Sequence, residues 1–311
     1  MNDCLIICNS AERFAHETER LASDAISFKE CRSAEEALKR YDGEEVLFGD
    51  PSMIATILED LPGVRWVQST WAGVKPLIDA SRRDYVLTGV KDVFGPQMAE
   101  YVMGYLLSHE LRIIERLEAQ RARSWDTTYS GTLAGKVLGI MGTGSIGEYI
   151  ARKAKGFDIR TLGLSLSGRP CDAFDGVYPA DRLLEFLPHC DYLVSTLPQT
   201  PATDALLDAE AFAALPAGAC FINVGRSNVV DDGDLLDALE SGHLSLAVLD
   251  VFDEEPVPAG SALWDAPNLT ITAHIAAVSH PKLIVPIFVR NFAHFRQGEP
   301  LEYVIDFSAG Y

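Results

Sequence analysis

Residues 136–156 read KVLGIMGTGSIGEYIARKAKG. An apolar run, VLGIM, leads into a glycine-spaced loop, and the loop leads into residues with apolar side chains at helical spacing. Strand, then G-x-G-x-x-G, then helix is the setting in which that spacing has a physical meaning. Gly142 allows a tight turn, Gly144 lets a pyrophosphate approach the backbone, and Gly147 permits close packing of helix on strand. Free amides at the start of the helix then face the phosphates. Gly142, Thr143, Gly144, Ser145, Ile146 and Gly147 are therefore candidates for holding a dinucleotide. A glycine-rich turn can also hold nothing, so the surroundings have to decide.

The next apolar run ends in LGLSLSGRP, residues 162–170. About twenty residues after such a glycine loop, many nucleotide-binding units place an acid that holds a ribose 2′-hydroxyl. Here Ser165 stands in that place. A carboxylate would repel a 2′-phosphate, whereas Ser165 and Ser167 can donate hydrogen bonds to one and Arg169 can pair with its charge. The missing acid points to NADP(H) as the preferred cofactor, with NAD(H) still possible. The plainer alternative is a polar loop with an incidental arginine.

Working outward, LIIC (5–8), VLFG (46–49), VRWVQST (64–70) and YVLTGV (85–90) read as strands of an earlier unit. SAEEALKRY between the first two has helical spacing and a capping signal at Ser33 and Glu36. MAEYVMGYLLSHELRIIERLEAQRAR, residues 98–123, contains no proline and reads as one long helix, followed by a turn at Ser130–Gly131. IRTLGL, DYLVSTL, CFINVG, LAVLDVF and LTITA continue the strands of the second unit. Alternating strand and helix implies α/β architecture with parallel sheets and right-handed crossovers.

At 311 residues the chain suffices for two domains, and 48% hydrophobic against 23% charged residues is an ordinary globular balance. A net charge of −19 argues against general nucleic-acid binding, which needs clustered Lys and Arg. The six scattered cysteines complete no metal pattern and suit a reducing, cytoplasmic setting. Cys4 and Cys8 read as small buried hydrophobes. The N-terminus has no basic region before an apolar stretch with a small-residue cleavage site, and no apolar run approaches about 20 residues, so neither a signal segment nor a membrane span is expected.

Three further segments carry chemistry. NVGRSNVVD (223–231) places Arg226 beyond a strand, LDVFDEEPVP (249–258) places Glu254 and Glu255 beyond the next, and LTITAHIAAVS (269–279) places His274 beyond a third. Groups at the carboxyl ends of parallel strands line the ligand crevice, so this trio is expected to converge. Taken singly, the arginine reads as a solvated charge, the glutamate as part of an acidic turn and the histidine as a structural one. His280 reads as a helix-start residue before Pro281, and His109 as packing or surface.

With these residues in place, the chain resembles the D-isomer-specific 2-hydroxyacid dehydrogenase family over nearly its whole length. The glycine loop, LPQTPAT, NVGRSNVVD, LDVFDEEP and ALWDAPNLTITAHIA follow the family's order and spacing. The serine-rich loop, QSTWAGV (68–74) and the terminal Gly310–Tyr311 resemble the NADPH-dependent glyoxylate/hydroxypyruvate reductase subgroup.

The resemblance implies roles. Arg226 would bind the carboxylate and keto oxygen of a 2-oxoacid, and His274 would protonate the carbonyl oxygen as hydride arrives. Glu255, selected over Glu254 by the following Pro256, would pair with His274 and favour its protonated form. Asp250 would contact the nicotinamide carboxamide. Leu197, Pro198, Thr203, Val224 and Gly225 would border the cofactor. The amides of Trp71, Ala72, Gly73 and Val74 would receive the substrate carboxylate, with Trp71 walling the pocket. Two positions depart from the family pattern: Ala273 stands where proline commonly precedes the histidine, and Ser227 where glycine commonly follows the arginine.

The implied architecture is two Rossmann-like, doubly wound domains. The dinucleotide-binding domain, residues 98–282, is inserted into a flavodoxin-like substrate domain formed by 1–97 and 283–311. A homodimer is implied as well, with the long helix and the loop around Trp125 embracing the partner. The leading expectation is reduction of small 2-oxoacids by NADPH. The alternatives are an NAD-preferring dehydrogenase of larger 2-hydroxyacids and a nucleotide-sensing protein akin to the corepressors that resemble this family.

Overall fold

A computed structural model describes residues 3–22 and 25–307. The terminal Gly310–Tyr311 pair therefore lies outside the described residues. The chain divides into two compact units, with breaks after Val93 and after Val278. The sequence expectation set these breaks at 97/98 and 282/283.

The first unit holds a parallel five-stranded sheet of β1 (Cys4–Ile7), β2 (Phe28–Cys31), β3 (Val46–Gly49), β4 (Trp66–Ser69) and β5 (Val86–Thr88). Their order, β2-β1-β3-β4-β5, is that of flavodoxin-like sheets. β1, β3 and β4 are buried along their whole length, which is why each reads as a continuous apolar run rather than an alternating one. The C-terminal helix Pro281–Gln297 packs against this unit, stacking Phe288 on Phe48 with ring centroids 4.1 Å apart. His280 is its N-cap residue. Ser33 caps the helix Ala34–Arg40 by accepting from the Glu36 amide, and the Glu36 carboxylate reaches back to the Arg32 amide.

The second unit holds seven parallel strands: β6 (Val137–Met141), β7 (Arg160–Ser165), β8 (Gly176–Pro179), β9 (Tyr192–Ser195), β10 (Ala219–Asn223), β11 (Leu244–Leu249) and β12 (Leu269–Ile271). The order is β12-β11-β10-β9-β6-β7-β8. It reverses direction between β6 and β9, and a ligand crevice opens at such a switch, at the carboxyl ends of the strands. The glycine loop follows β6 at that point. Both units are thus doubly wound α/β sheets, as the sequence pattern implied.

Two local expectations are corrected. Residues 98–123 form two helices, Gly95–Glu110 and Ile113–Arg121, because Arg112 adopts a left-handed backbone with φ 53°. No proline or glycine announces that break. The turn before β6 falls at Leu133–Lys136, where Gly135 has φ 79°, rather than at Ser130–Gly131. Instead Gly131 donates to the carbonyl of Glu110, tying this connection back to the first of the two helices. β8 was not expected. It is a short edge strand, only partly buried, where Pro179 costs no ladder hydrogen bond.

Among the described residues, no helix is long and apolar enough to cross a membrane. The cysteines are free thiols.

Candidate active site

The glycine loop has the geometry a pyrophosphate requires. Gly142 turns with φ 104°, and a Cβ on Gly147 would meet the carbonyl oxygen of Gly142 at 2.0 Å, so helix Ser145–Ala154 could not otherwise approach β6. A Cβ on Gly144, by contrast, would point into open space. The loop is tight on its protein side and clear on the side where phosphates would lie. Thr143, Ser145 and Ile146 complete the turn into the helix, whose first amides have no side-chain cap. A dinucleotide therefore suits these residues.

At the end of β7, the hydroxyl oxygen of Ser165 accepts from the Gly168 amide at 3.2 Å, and that of Ser167 accepts from the Arg169 amide at 3.4 Å. Each hydroxyl keeps its proton to donate. Residues 165–170 contain no acid, and Arg169 is exposed. The loop after β9 carries Leu197, Pro198 and Thr203; the Thr203 hydroxyl donates to the carbonyl of Pro198 at 2.8 Å and holds the turn closed.

Arg226 follows β10 through Val224 and Gly225. The buried Asn223 shapes this turn: its side-chain carbonyl accepts from the Gly225 amide and its amide donates to the carbonyl of Arg226. The sequence reading passed over Asn223, although an Asn at a strand end before glycine is a turn signal. Burial pulls the guanidinium's pKa below its ordinary value, while the charge of Glu255 acts the other way. Glu255 is therefore close enough for its field to reach Arg226.

Glu255 and His274 are in contact. His274 Nδ1 lies 2.9 Å from Oε2 of Glu255, and Oε1 of Glu255 accepts from the Phe252 amide at 3.0 Å. The carboxylate is thus oriented by backbone on one side and orients the imidazole on the other. Beside the pair lies a cavity of about 370 Å³ with a mostly apolar lining that includes Pro256, Val257, Trp264 and Ile271. His274 itself has φ 52°. For a non-glycine residue this costs about 1 kcal/mol or more and persists only where the surroundings impose it.

Asp250 supplies much of that imposition. It is 1% exposed. Its Oδ1 accepts from the Thr272 hydroxyl at 2.5 Å and the Ile275 amide at 2.8 Å, and its Oδ2 from the Ala276 amide at 2.9 Å. Its backbone carbonyl accepts from the His274 amide at 2.9 Å. The sequence assigned Asp250 to the cofactor; within the protein, its carboxylate binds the histidine loop.

Trp71, Ala72, Gly73 and Val74 belong to the first unit and follow β4. The indole nitrogen of Trp71 donates to Asp50 at 3.2 Å, and its backbone exchanges two hydrogen bonds with the Ser69 hydroxyl. Val74 is buried and begins the helix Lys75–Asp79. His109 is not part of the site; its Nε2 lies 3.3 Å from the Ser245 hydroxyl. Among the described residues, no cluster of His, Cys, Asp or Glu could hold a metal ion.

A dinucleotide loop at a sheet's switch point, with an arginine and a glutamate-paired histidine beyond its later strands, is an arrangement suited to a nicotinamide-dependent oxidoreductase. The profile of the D-isomer specific 2-hydroxyacid dehydrogenases, NAD binding domain, matches residues 103–276. Glyoxylate/hydroxypyruvate reductase A of Serratia proteamaculans is 33% identical over 215 residues, 69% of each chain. A D-isomer specific 2-hydroxyacid dehydrogenase family protein of Aeromonas salmonicida superimposes with a TM-score of 0.94 at 40% identity, covering 99% of this chain and 100% of that one. The NADPH-dependent glyoxylate/hydroxypyruvate reductase of Sinorhizobium meliloti, solved with NADP and sulfate, gives a TM-score of 0.86 at 29% identity, covering 99% and 100%. The chain belongs to the D-isomer-specific 2-hydroxyacid dehydrogenase family and is an NAD(P)-dependent enzyme of that class.

Proposed function

We propose that this enzyme reduces small 2-oxoacids, glyoxylate and hydroxypyruvate among them, to 2-hydroxyacids with NADPH as the preferred reductant. The observation that carries the chemistry is the 2.9 Å pairing of His274 with Glu255 at the strand ends that also present Arg226. Arg226 holds the carboxylate and keto oxygen of the substrate through its planar, permanently charged fork. With Nδ1 of His274 engaged by Glu255, Nε2 delivers the proton to the carbonyl oxygen. The glycine loop at 142–147 would hold a nicotinamide dinucleotide, which when bound would supply the hydride that, with the proton from His274, turns C=O into CH–OH. The amides of residues 71–74 would receive the substrate carboxylate, and Asp250 would contact the nicotinamide carboxamide.

The cofactor preference rests on the loop after β7. Ser165 and Ser167 retain donor protons, Arg169 is exposed beside them, and no carboxylate opposes a 2′-phosphate. A charged hydrogen-bonded contact of this kind corresponds to roughly 10- to 100-fold in affinity. The active form is a homodimer in this reading, supported by a segment that exposes Ile114, Leu117, Trp125 and Tyr129. Free thiols suit a reducing, cytoplasmic workplace.

The test is a matrix of 2-oxoacids against NADPH and NADH, followed by absorbance. Glyoxylate and hydroxypyruvate are expected to turn over, with kcat/KM at least about tenfold higher for NADPH. Equal use of NADH overturns the cofactor reading, and turnover of larger oxoacids alone overturns the substrate reading.

A further inference from the structure

The backbone that aims His274 is anchored outside its own loop. Thr272 has one hydroxyl proton and gives it to Oδ1 of Asp250 at 2.5 Å. The phenol of Tyr101 lies 2.6 Å from the same Thr272 oxygen. Since the threonine proton is already committed, Tyr101 must be the donor, and the bonds run in one direction: phenol to hydroxyl to buried carboxylate. Bonds in such a chain polarise and strengthen one another. Asp250 also accepts from the amides of Ile275 and Ala276, on the far side of His274. Burial pushes the Tyr101 phenol's pKa well above its ordinary value, so it stays a donor throughout the working pH range.

Tyr101 sits on the helix Gly95–Glu110, one turn beyond Gln97. The Gln97 side chain donates to the carbonyl of Val278 and accepts from its amide, both at 3.0 Å. Two residues spaced i and i+4 share one helix face. That face therefore grips the acid-bearing loop at its beginning, residue 272, and at its end, residue 278. The arrangement matters because Ala273 stands where the family commonly has proline. A proline ring would fix the backbone entering His274; alanine leaves it to rotate. Among the described residues, the Ala273 amide donates no hydrogen bond, so nothing at residue 273 itself replaces the ring.

We propose that Tyr101 and Thr272 are positioning residues for the general acid, holding His274 in its left-handed conformation through Asp250 in place of the absent proline. Because this rests on the reading of His274 as the acid, one measurement is needed that does not depend on turnover. Tyr101→Phe and Thr272→Val each remove a hydroxyl and little volume. Asp250→Asn is not used, because Asp250 also lies near the proposed nicotinamide site.

Expected are falls in kcat for glyoxylate of about fivefold for Tyr101→Phe and about tenfold for Thr272→Val, the scale of one lost hydrogen bond. KM should change less than about twofold, and NADPH affinity should hold, since the anion-holding groups are untouched. The amides of His274, Ile275 and Ala276 should exchange hydrogen faster in both variants. Adding Ala273→Pro should restore most of kcat and slow that exchange. Wild-type kcat with unchanged exchange overturns the proposal. So does a loss shared by kcat and NADPH affinity that Ala273→Pro fails to repair, which marks general damage. If the unmodified enzyme reduces no 2-oxoacid, the proposed function falls, while exchange at residues 274–276 still decides whether the hydroxyl chain holds the loop.

Discussion

The loop after β7 and the loop after β12 both leave the carboxyl ends of strands in one parallel sheet. In the first, Ser165 and Ser167 accept hydrogen bonds from amides two or three residues further along, and Leu166 is 85% exposed. Nothing buried depends on these side chains. In the second, a buried carboxylate binds a hydroxyl and two amides while its own carbonyl takes a third amide. The proposed cofactor selector is thus held only by its own backbone, whereas the proposed proton donor is wired to the domain interior. A group that must deliver a proton along one line needs fixed geometry. A group that screens a flexible phosphate needs charge and reach.

Substitutions on the two sides should behave differently. The largest effect is expected for His274→Ala, with kcat lower by roughly a thousandfold, the scale of general acid catalysis, and NADPH affinity retained. Stopped-flow binding and steady-state rates separate these, and an active variant would remove His274 from the mechanism. Next comes Arg226→Lys, expected to lower kcat/KM by about a hundredfold because a point charge cannot reproduce the bidentate fork. The deficit should deepen with rising pH. Burial lowers the pKa of the cation at this position, and lysine starts near 10.4, so it begins to lose its proton at a pH where arginine does not. A deficit independent of pH between about 7 and 9 would contradict that. The smallest effect belongs to Arg169→Ala, expected to raise KM for NADPH about tenfold, leave NADH unchanged and leave the melting temperature within error. A loss of stability there would erase the contrast between the loops.

Much of the fold is legible in the sequence. Strands buried on both faces announce themselves as short apolar runs, which is how Arg226 could be set beyond β10, while Glu255 and His274 could be set beyond the partly buried β11 and β12. The break at Arg112 was not, since a left-handed arginine leaves no compositional trace. β8 escaped for the opposite reason: GVYP carries turn residues, and its half-exposed edge position gives no periodic pattern. The contribution of Tyr101 was hidden because an aromatic in the middle of a helix reads as packing. Only folding brings its hydroxyl to Thr272, 171 residues away. Asp250 was noticed but given a single task, because sequence order cannot display the amides that converge on a carboxylate.

Arg226, Glu255 and His274 leave three consecutive neighbours of the sheet, β10, β11 and β12. Adjacent strands lie about 4.8 Å apart wherever peptides pair, whatever their side chains. The sheet therefore serves as a ruler. It sets the carboxyl ends of β10 and β12 roughly 10 Å apart, the spacing that the proposed anion holder Arg226 and the proposed proton donor His274 would bridge with their side chains. The coarse dimension of the chemistry is a constant of backbone hydrogen bonding. Evolution is left to adjust only what the side chains span.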